Sequence, residues 1–236
     1  MGSSRLPGKV LMDINGQTAL ERLVSRLKVC KTLDEIVVAT TKMESDDPIE
    51  RWCSDHGVAC FRGSENDVLH RVVEAHKFMG SEIVVEITGD CPMTDPELVD
   101  LGVLTYFANC ADVVTNCGNV LTWPMGLYVQ VFSLKLLEQV ASTVSDPSVR
   151  EHVSLYFYEN LDKYQVLELI APERWRFPNW RCQLDYPEDL RFQNAVFQLL
   201  ELNSTQSIGI EEIVSLLKTR PDLLELNIHC KENSVR

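Results

Sequence analysis

The chain has 236 residues, of which 45% are hydrophobic and 24% charged, and its formal net charge is −13. A chain of this length can bury one sizeable hydrophobic core, so we predict a single domain over 1–236. The acidic balance disfavours a nucleic-acid partner, because a polyanion needs a basic surface. No apolar run reaches the roughly 20 residues of a membrane span, and no signal peptide is recognisable. The sequence therefore predicts a soluble, cytoplasmic protein with a small-molecule partner and no membrane contact.

The eight cysteines are scattered along the chain without a Cys-x-x-Cys pair. Zinc ligands usually come in such close pairs, and several of these cysteines lie in apolar stretches, as buried thiols do. We therefore predict reduced, mostly structural cysteines and no structural metal site.

Helical and strand patterns alternate along the first half of the chain. The predicted elements there are a helix over 19–27 capped by Thr18, a strand over 35–40, a helix over 46–56, a strand over 58–61, a helix over 66–79, a strand over 83–87 and a helix capped by Asp95. Beyond residue 110 the pattern is looser. It predicts strands over 112–115 and 128–132, helices over 134–143, 150–159, 189–202 and 210–217, and a partly extended aromatic stretch over 175–184.

The alternation predicts an α/β fold with a mostly parallel, twisted sheet and helices on both faces. Ligands of such sheets bind outside the carboxyl ends of the strands. Asp90 follows one predicted strand, and Arg62, Gly63 and Ser64 follow another. We therefore expect these residues at the edge of the sheet where a ligand would bind.

The opening segment has the composition of a phosphate-binding loop. Gly2, Ser3 and Gly8 allow backbone N–H groups to approach an anion closely, and Arg5 and Lys9 provide charge-assisted donors. A Gly/Ser/Arg/Lys segment at a chain end is also typical of a disordered tail. The segment alone does not decide between the two interpretations.

Two aspartates and one helix start are further candidates for chemistry. Asp90 could hold a divalent cation that orients phosphates, and Asp185 could provide a second ligand, or either could serve only a turn or an N-cap. Arg150 and His152 could bind an anionic acceptor or transfer a proton, or could belong to a solvated helix start. Spacing does not show whether the two aspartates meet.

Taken together, these segments resemble the cytidylyltransferase family of spore-coat polysaccharide biosynthesis proteins, whose more distant relatives activate acidic sugars such as sialic acid and KDO. The matching segments are 1–10, 34–41, 61–69, 87–92, 150–153 and 184–190. They occur in the family's order across nearly the whole chain. The resemblance is therefore specific for the family, though not for the substrate.

The resemblance implies a nucleotide-diphospho-sugar transferase-like fold. It also implies transfer of a cytidylyl group from CTP to a sugar or sugar-acid acceptor, with release of pyrophosphate, in surface polysaccharide or glycan biosynthesis. The implied catalytic residues are Lys9, Arg5 and Asp90, and the implied Mg²⁺ ligands are Asp90 and Asp185. The implied nucleotide-binding residues are Gly2, Ser3, Gly8, Arg62, Ser64 and Asp67, and the implied acceptor-binding residues are Arg150 and His152. A homodimer is a further expectation from the family.

Two departures from the family pattern affect these expectations. Family members carry a β-strand and an arginine immediately before the segment that matches Met1, so the resemblance predicts that the first strand is missing from the sequence given. The family's Gly-Leu-Asp-Val-Glu-Val-Phe pattern is Gly-Leu-Tyr-Val-Gln-Val-Phe over 126–132, so Tyr128 and Gln130 replace two acidic residues. These departures leave open another acceptor, or a catalytically impaired nucleotide-binding homologue with an interaction role. A glycosyltransferase ranks last, because no Asp-x-Asp cluster follows a predicted strand.

Overall fold

Three β-sheets and the helices packed on them form the described part of the chain, residues 1–203 and 208–232 of the computed structural model. β1 (Asp13–Ile14) and β2 (Gln17–Thr18) form an antiparallel hairpin, and β3 (Val37–Thr41) pairs in parallel with β4 (Ala59–Gly63). The largest sheet contains β5 (Ile83–Glu86), β6 (Val113–Thr115), β7 (Gln130–Ser133) and β8 (Val166–Glu168), in the order β5-β7-β6-β8. β7 is antiparallel to both neighbours, whereas β6 and β8 are parallel, so this sheet is mixed.

Helices connect most of the strands. They are α1 (Ala19–Leu27), α2 (Asp47–Asp55), α3 (Val68–Met79), α4 (Pro96–Ala108), α5 (Leu134–Thr143), α6 (Pro147–Glu151), α7 (Leu155–Tyr158), α8 (Pro187–Asn203) and α9 (Ile210–Thr219). Short 3-10 helices cover Lys9–Leu11, Glu44–Asp46, Glu173–Trp175 and Pro221–Leu226.

Side-chain hydrogen bonds cap the first turns of two helices whose caps were predicted from the sequence. Thr18 accepts a hydrogen bond from the amide of Glu21 and so begins α1. Asp95 accepts hydrogen bonds from two amides in the first turn of α4. Its other oxygen accepts from the amide of Ile210 at 2.6 Å, which joins the start of α9 to the start of α4.

Helices cover both faces of the sheets, as predicted. On one face α1, α4, α8 and α9 share a core that includes Val99 and Val131. On the other face α3 and α5 bury Leu69 and Leu137 in a core with Phe132. Val131 and Phe132 are neighbours in β7, and successive side chains of a strand point to opposite faces of the sheet. Each of the two cores therefore receives one apolar side chain from β7. Each fully buried side chain of this size stabilises the fold by about 1.5–3 kcal/mol.

The sheet is interrupted between β3 and β5. Among the described strands, β3 pairs only with β4 and β5 only with β7, so each has an unpaired edge. A largely apolar groove lies between the two edges, with Leu23 and Val24 of α1 on one side and Val72 of α3 on the other. It contains cavities of about 300 and 480 Å³.

Parts of the second half differ from the predicted elements. The predicted helix over 150–159 is wrong: Asp146 caps a helix that starts at Pro147, and His152 leaves the helical conformation, so two short helices form instead. β8 lies in no predicted element. Among the described residues, the stretch 175–184 forms no named strand and takes part in one isolated bridge, between Met125 and Arg181.

Two expectations from composition can be compared with the fold. All eight cysteines lie among the described residues, and all eight are free thiols. Within the described ranges, no helix combines the length and the apolar character that crossing a bilayer requires.

The turn at Gly126 fixes the path of residues 181–185. Gly126 has a φ of +89°, and a Cβ there would lie 2.6 Å from the backbone nitrogen of Gln183. Alanine at this position therefore combines a strained backbone with a clash against backbone atoms. We expect Gly126→Ala to lower the free energy of unfolding by about 2–4 kcal/mol, measured by urea denaturation.

Gly16, in the turn between β1 and β2, is the matched control. Its φ is +88°, but no atom lies within 4 Å of an added Cβ. Gly16→Ala therefore isolates the backbone strain, which is about 1–2 kcal/mol. Equal losses in the two variants would show that the close approach of Gln183 to Gly126 has no energetic consequence.

Candidate active site

The first residues form a hydrogen-bonded loop. The amide of Gly8 donates to the carbonyl of Met1 at 3.1 Å, and the hydroxyl of Ser3 accepts from the amide of Leu6 at 3.2 Å. The 3-10 helix that follows begins at Lys9. The segment is therefore an ordered loop rather than a disordered tail.

Backbone hydrogen bonds hold residues 181–185 beside Asp90. The amide of Leu184 donates to the carbonyl of Asp90 at 2.8 Å, and the amide of Cys182 donates to the carbonyl of Met125 at 2.8 Å. Asp90 lies just beyond the carboxyl end of β5. The two candidate metal ligands, Asp90 and Asp185, are therefore neighbours at the edge of the sheet.

Lys9 lies between these two carboxylates. Its Nζ is 2.7 Å from Oδ2 of Asp90 and 2.7 Å from Oδ1 of Asp185. The amide of Gln183 also spans the pair, donating to Asp90 at 3.3 Å and to Asp185 at 3.2 Å. Arg5 pairs with Asp185 at 3.0 Å through Nη2. The structure thus brings together Lys9, Arg5 and Asp90, which the resemblance implies are catalytic, with Asp185; we call these four residues the Lys9 cluster.

Charge pairing favours the ionised forms of Lys9 and Asp185. Burial favours the neutral form of Asp185, but the hydrogen bond and charge of Lys9, aided by Arg5 and Arg181, outweigh it and lower the pKa of Asp185. Burial also opposes the charge on Lys9, but Asp90 and Asp185 outweigh it and raise the pKa of Lys9. At neutral pH the charged ammonium of Lys9 therefore lies against the ionised carboxylate of Asp185.

A buried ion-pair network supports Asp185 from the protein side. Arg181 is 3.0 Å from Asp185 and 2.9 Å from Asp189, and Asp189 is 0% exposed. Asp189 also accepts hydrogen bonds from the amides of Asp185 and Tyr186, both at 2.9 Å, at the start of α8. These partners fix the orientation of the Asp185 carboxylate.

The predicted nucleotide-binding residues after β4 engage other protein groups. Arg62 forms ion pairs with two carboxylates of α2 at 2.7 Å. The carbonyl of Ser64 accepts a hydrogen bond from an arginine of α3, and Asp67 caps that helix. A Cβ on Gly2 would lie 3.8 Å from Oε1 of Glu65, so this turn adjoins the opening loop. A role of these residues in nucleotide binding stays a prediction.

Arg150 and His152 are not joined to the Lys9 cluster. Arg150 forms an ion pair with Asp67 and donates hydrogen bonds to the carbonyls of Ala141 and Val144. His152 is exposed, and no hydrogen bond or ion pair within the described ranges connects its side chain to the cluster. Their predicted role in acceptor binding stays a prediction.

Among the described residues, no hydrogen bond or ion pair joins Tyr128 or Gln130 to the Lys9 cluster. Gln130 begins β7, pairs in register with Glu86 and donates to it at 3.3 Å. Tyr128 is half-buried, and burial raises the pKa of its hydroxyl, which stays neutral. The hydrogen bonds and ion pairs of the Lys9 cluster therefore involve neither departure from the family pattern.

The donors and acceptors of the Lys9 cluster suit Mg²⁺ and an anion. Asp90 and Asp185 offer carboxylate oxygens, which Mg²⁺ prefers. Oε1 of Gln183 is buried without a hydrogen-bond partner, and so is Nη1 of Arg5. An unpaired buried acceptor beside an unpaired buried donor fits a ligand that combines a cation with anionic oxygens.

Sequence reasoning missed three residues that build this site: Arg181, Gln183 and Asp189. The first two lie in the stretch that was predicted only as aromatic and partly extended. One signal was present, because Arg181, Gln183 and Asp185 are spaced two residues apart, and alternate residues of an extended segment share a face. Asp189 carried no comparable signal, since an aspartate in the first turn of a helix is common.

Comparison with known proteins identifies the family. The sequence profile of the cytidylyltransferases matches residues 1–225. The chain belongs to the cytidylyltransferase family. It is 34% identical over 227 residues to the spore coat polysaccharide biosynthesis protein SpsF of Bacillus subtilis, which covers 94% of this chain and 92% of that protein. This cytidylyltransferase is therefore a nucleotidyltransferase, as predicted.

Solved structures agree with this assignment. A cytidylyltransferase from Leptospira borgpetersenii serovar Hardjo-bovis superposes with a TM-score of 0.88 at 30% identity, over 99% of this chain and 95% of that chain. CMP:2-keto-3-deoxy-manno-octonic acid synthetase complexed with CTP superposes with a TM-score of 0.62 at 18% identity, over 84% of this chain and 95% of that chain. The second likeness shows the shared fold alone, which is that of the nucleotide-diphospho-sugar transferases.

Proposed function

We propose that this cytidylyltransferase transfers a cytidylyl group from CTP to a sugar or sugar-acid acceptor, with Mg²⁺, and releases pyrophosphate. The observation that carries the proposal is the position of Lys9, 2.7 Å from both Asp90 and Asp185. A cation held between two carboxylates at the carboxyl edge of an α/β sheet marks a place where a divalent ion and phosphates would bind.

Arg5 and Lys9 are the proposed donors to the triphosphate. Nη1 of Arg5 is buried and unpaired, and an unsatisfied buried donor costs about 1–3 kcal/mol, so an anionic oxygen at this position would be stabilised. The ring of Tyr186 lies 5.1 Å from the guanidinium of Arg5 and helps to hold it in place. Backbone amides of Gly2, Ser3 and Gly8 would add donors from the loop.

Asp90 and Asp185 are the proposed Mg²⁺ ligands. The ion, when bound, neutralises phosphate charge and orients the phosphates for attack. Lys9 would then no longer be needed to neutralise the two carboxylates and could donate to a phosphate oxygen. The network behind Asp185 would keep this carboxylate in place during the exchange.

In the proposed reaction an acceptor hydroxyl oxygen attacks the α-phosphorus of CTP in line. The bond from the α-phosphorus to the bridging oxygen breaks, pyrophosphate leaves with the bonding electrons, and the hydroxyl proton passes to solvent. Positioning by the loop and charge neutralisation by Arg5 and Lys9 are the main contributions of the chain.

The named relatives support this proposal. SpsF is named as a protein of spore coat polysaccharide biosynthesis. This name supports a sugar acceptor destined for a surface polysaccharide. The structural neighbour complexed with CTP supports CTP as the nucleotide.

Release of pyrophosphate from CTP and Mg²⁺ by the full chain, with a panel of acidic, neutral and amino sugars, tests the proposal. We expect release that depends on both Mg²⁺ and an acceptor. The alternative is a catalytically impaired nucleotide-binding homologue, which the neutral residues Tyr128 and Gln130 favour. Binding of CTP without release under every acceptor would support that alternative, and absence of CTP binding would contradict both.

A further inference from the structure

A glutamate, a histidine and a cysteine meet at the start of α8, and we call them the Cys230 group. They are Glu188, His229 and Cys230, and their ligand atoms all lie within 4.8 Å of one another. Glu188 belongs to the first turn of α8, whereas the other two follow the 3-10 helix Pro221–Leu226. Among residues 1–203 and 208–232, no other three side chains of His, Cys, Asp or Glu meet this spacing. The chemistry proposed above uses none of the three.

Hydrogen bonds anchor the backbone on either side of the Cys230 group. Asn227, which is 1% exposed, donates through Nδ2 to Oδ1 of Asp189 at 2.9 Å. The hydroxyl of Tyr186 donates to the carbonyl of Lys231 at 3.2 Å. Asn227 and Lys231 flank the His–Cys pair in the chain, and Tyr186 and Asp189 flank the glutamate. The fold therefore holds the two segments that carry the group against each other.

The ligand atoms of the Cys230 group suit Zn²⁺ rather than Mg²⁺. Sulfur, imidazole nitrogen and carboxylate oxygen are the usual zinc ligands, whereas Mg²⁺ prefers oxygen alone. In a tetrahedral zinc site, bonds of about 2.0–2.3 Å separate the ligand atoms by about 3.3–3.8 Å. The observed spacing has to close by at most about 1.5 Å, which rotation of the exposed His229 side chain can provide.

The charges of the Cys230 group also suit a divalent cation. A thiolate and a carboxylate neutralise Zn²⁺, and imidazole binds it as a neutral ligand. Oε1 of Glu188 pairs with Arg191 at 2.7 Å, but the arginine side chain is 65% exposed, so the pair contributes little and a metal can replace it. Burial raises the pKa of the Cys230 thiol. Binding of the metal therefore displaces the thiol proton, which passes to solvent.

We propose that Glu188, His229 and Cys230 bind Zn²⁺, with water as the fourth ligand, and that the ion fastens the 227–232 segment to the start of α8. The proposal does not depend on the cytidylyl transfer proposed above. The expectation of no structural metal site rested on the lack of close cysteine pairs. Here a single cysteine is joined by the histidine next to it and by a glutamate from a distant part of the chain.

The 227–232 segment reaches the network behind the Lys9 cluster. Glu232 lies 3.2 Å from Arg181, which in turn pairs with Asp185 at 3.0 Å. An ion on the Cys230 group would therefore restrict a segment that supports one of the proposed Mg²⁺ ligands. The two metal sites differ in chemistry, since the first contains sulfur and nitrogen and the second offers carboxylate oxygens.

Titration of the metal-free full chain with Co²⁺, in saturating Mg²⁺, tests the ligand set. Co²⁺ occupies zinc sites and absorbs light, so a thiolate ligand gives a charge-transfer band in the near ultraviolet and a tetrahedral site gives intense visible bands. We expect one Co²⁺ per chain with both signals, and its displacement by Zn²⁺. Cys230→Ser should remove the charge-transfer band. His229→Gln should weaken Zn²⁺ binding at least about tenfold.

Cys110→Ser and His70→Gln are the matched controls, because both side chains are exposed and lie outside the Cys230 group. Both variants should keep the spectrum and the affinity for Zn²⁺. Hydrogen–deuterium exchange tests the fastening: Zn²⁺ should slow amide exchange over 227–232 in the unsubstituted chain and not in Cys230→Ser. The proposal would be overturned by no binding, by a spectrum without the thiolate band, by a band that survives Cys230→Ser or is lost equally in Cys110→Ser, or by exchange that Zn²⁺ does not slow.

Discussion

Asp90→Asn is expected to reduce acceptor-dependent pyrophosphate release from CTP about a thousandfold. The variant keeps the size of the side chain but removes the charge and one carboxylate oxygen from the proposed Mg²⁺ site. Its stability should stay close to that of the unsubstituted chain, because the carbonyl of Asp90, which accepts from Leu184, is unchanged. Steady-state pyrophosphate release at saturating Mg²⁺ and urea denaturation provide the two readouts.

Asp55→Asn is the control for this substitution. Asp55 is exposed at the end of α2, and its variant should turn over CTP at the unsubstituted rate. Near-normal turnover in Asp90→Asn would remove Asp90 from the mechanism, and loss of the folded state would show that the carboxylate is structural.

Asp189→Ala is expected to lower the free energy of unfolding by about 3–5 kcal/mol. Asp189 is fully buried and accepts hydrogen bonds from Arg181, from Asn227 and from two backbone amides at the start of α8, all at 2.9 Å. With alanine at this position, the buried guanidinium of Arg181 loses one of its carboxylate partners, and the two backbone amides lose their hydrogen-bond acceptor. Urea denaturation at neutral pH measures the loss.

Two further variants serve as controls for the stability loss expected in Asp189→Ala. Asp162→Ala changes an exposed carboxylate and should alter stability by less than about 0.5 kcal/mol. The double variant Arg181→Met, Asp189→Leu removes both charges of this one pair and should recover part of the loss, while Asp185 keeps its ion pairs with Lys9 and Arg5. A loss below about 1 kcal/mol in Asp189→Ala would contradict a supporting role of this network.

Much of the fold could be predicted because its signals are local. Thr18 and Asp95 cap helices where the sequence placed them, and the strand patterns of the first half correspond to β3, β4 and β5. The break between α6 and α7 could not be predicted. The apolar residues before and after His152 follow the spacing of one continuous helix. β8 is only three residues long and is defined by its pairing with β6, a partner distant in sequence.

Only some residues of the candidate site could be named from the sequence, and how they assemble could not be predicted. Lys9, Arg5, Asp90 and Asp185 were found from motifs, but their meeting depends on the hydrogen bond between Leu184 and Asp90 and on the turn at Gly126. Such contacts between distant segments leave no trace in local spacing. The pairing of Arg150 with Asp67 is another such contact. From the motif alone, Arg150 was expected to be free to bind an acceptor.

Calorimetric titration of CTP into the full chain and into Asp185→Asn, with and without Mg²⁺, tests most directly whether the Lys9 cluster is a metal–triphosphate site. We expect the unsubstituted chain to bind CTP about tenfold or more tightly with Mg²⁺ than without it, and Asp185→Asn to lose this difference. CTP affinity that does not depend on Mg²⁺, or the same dependence in the variant, would contradict the assignment.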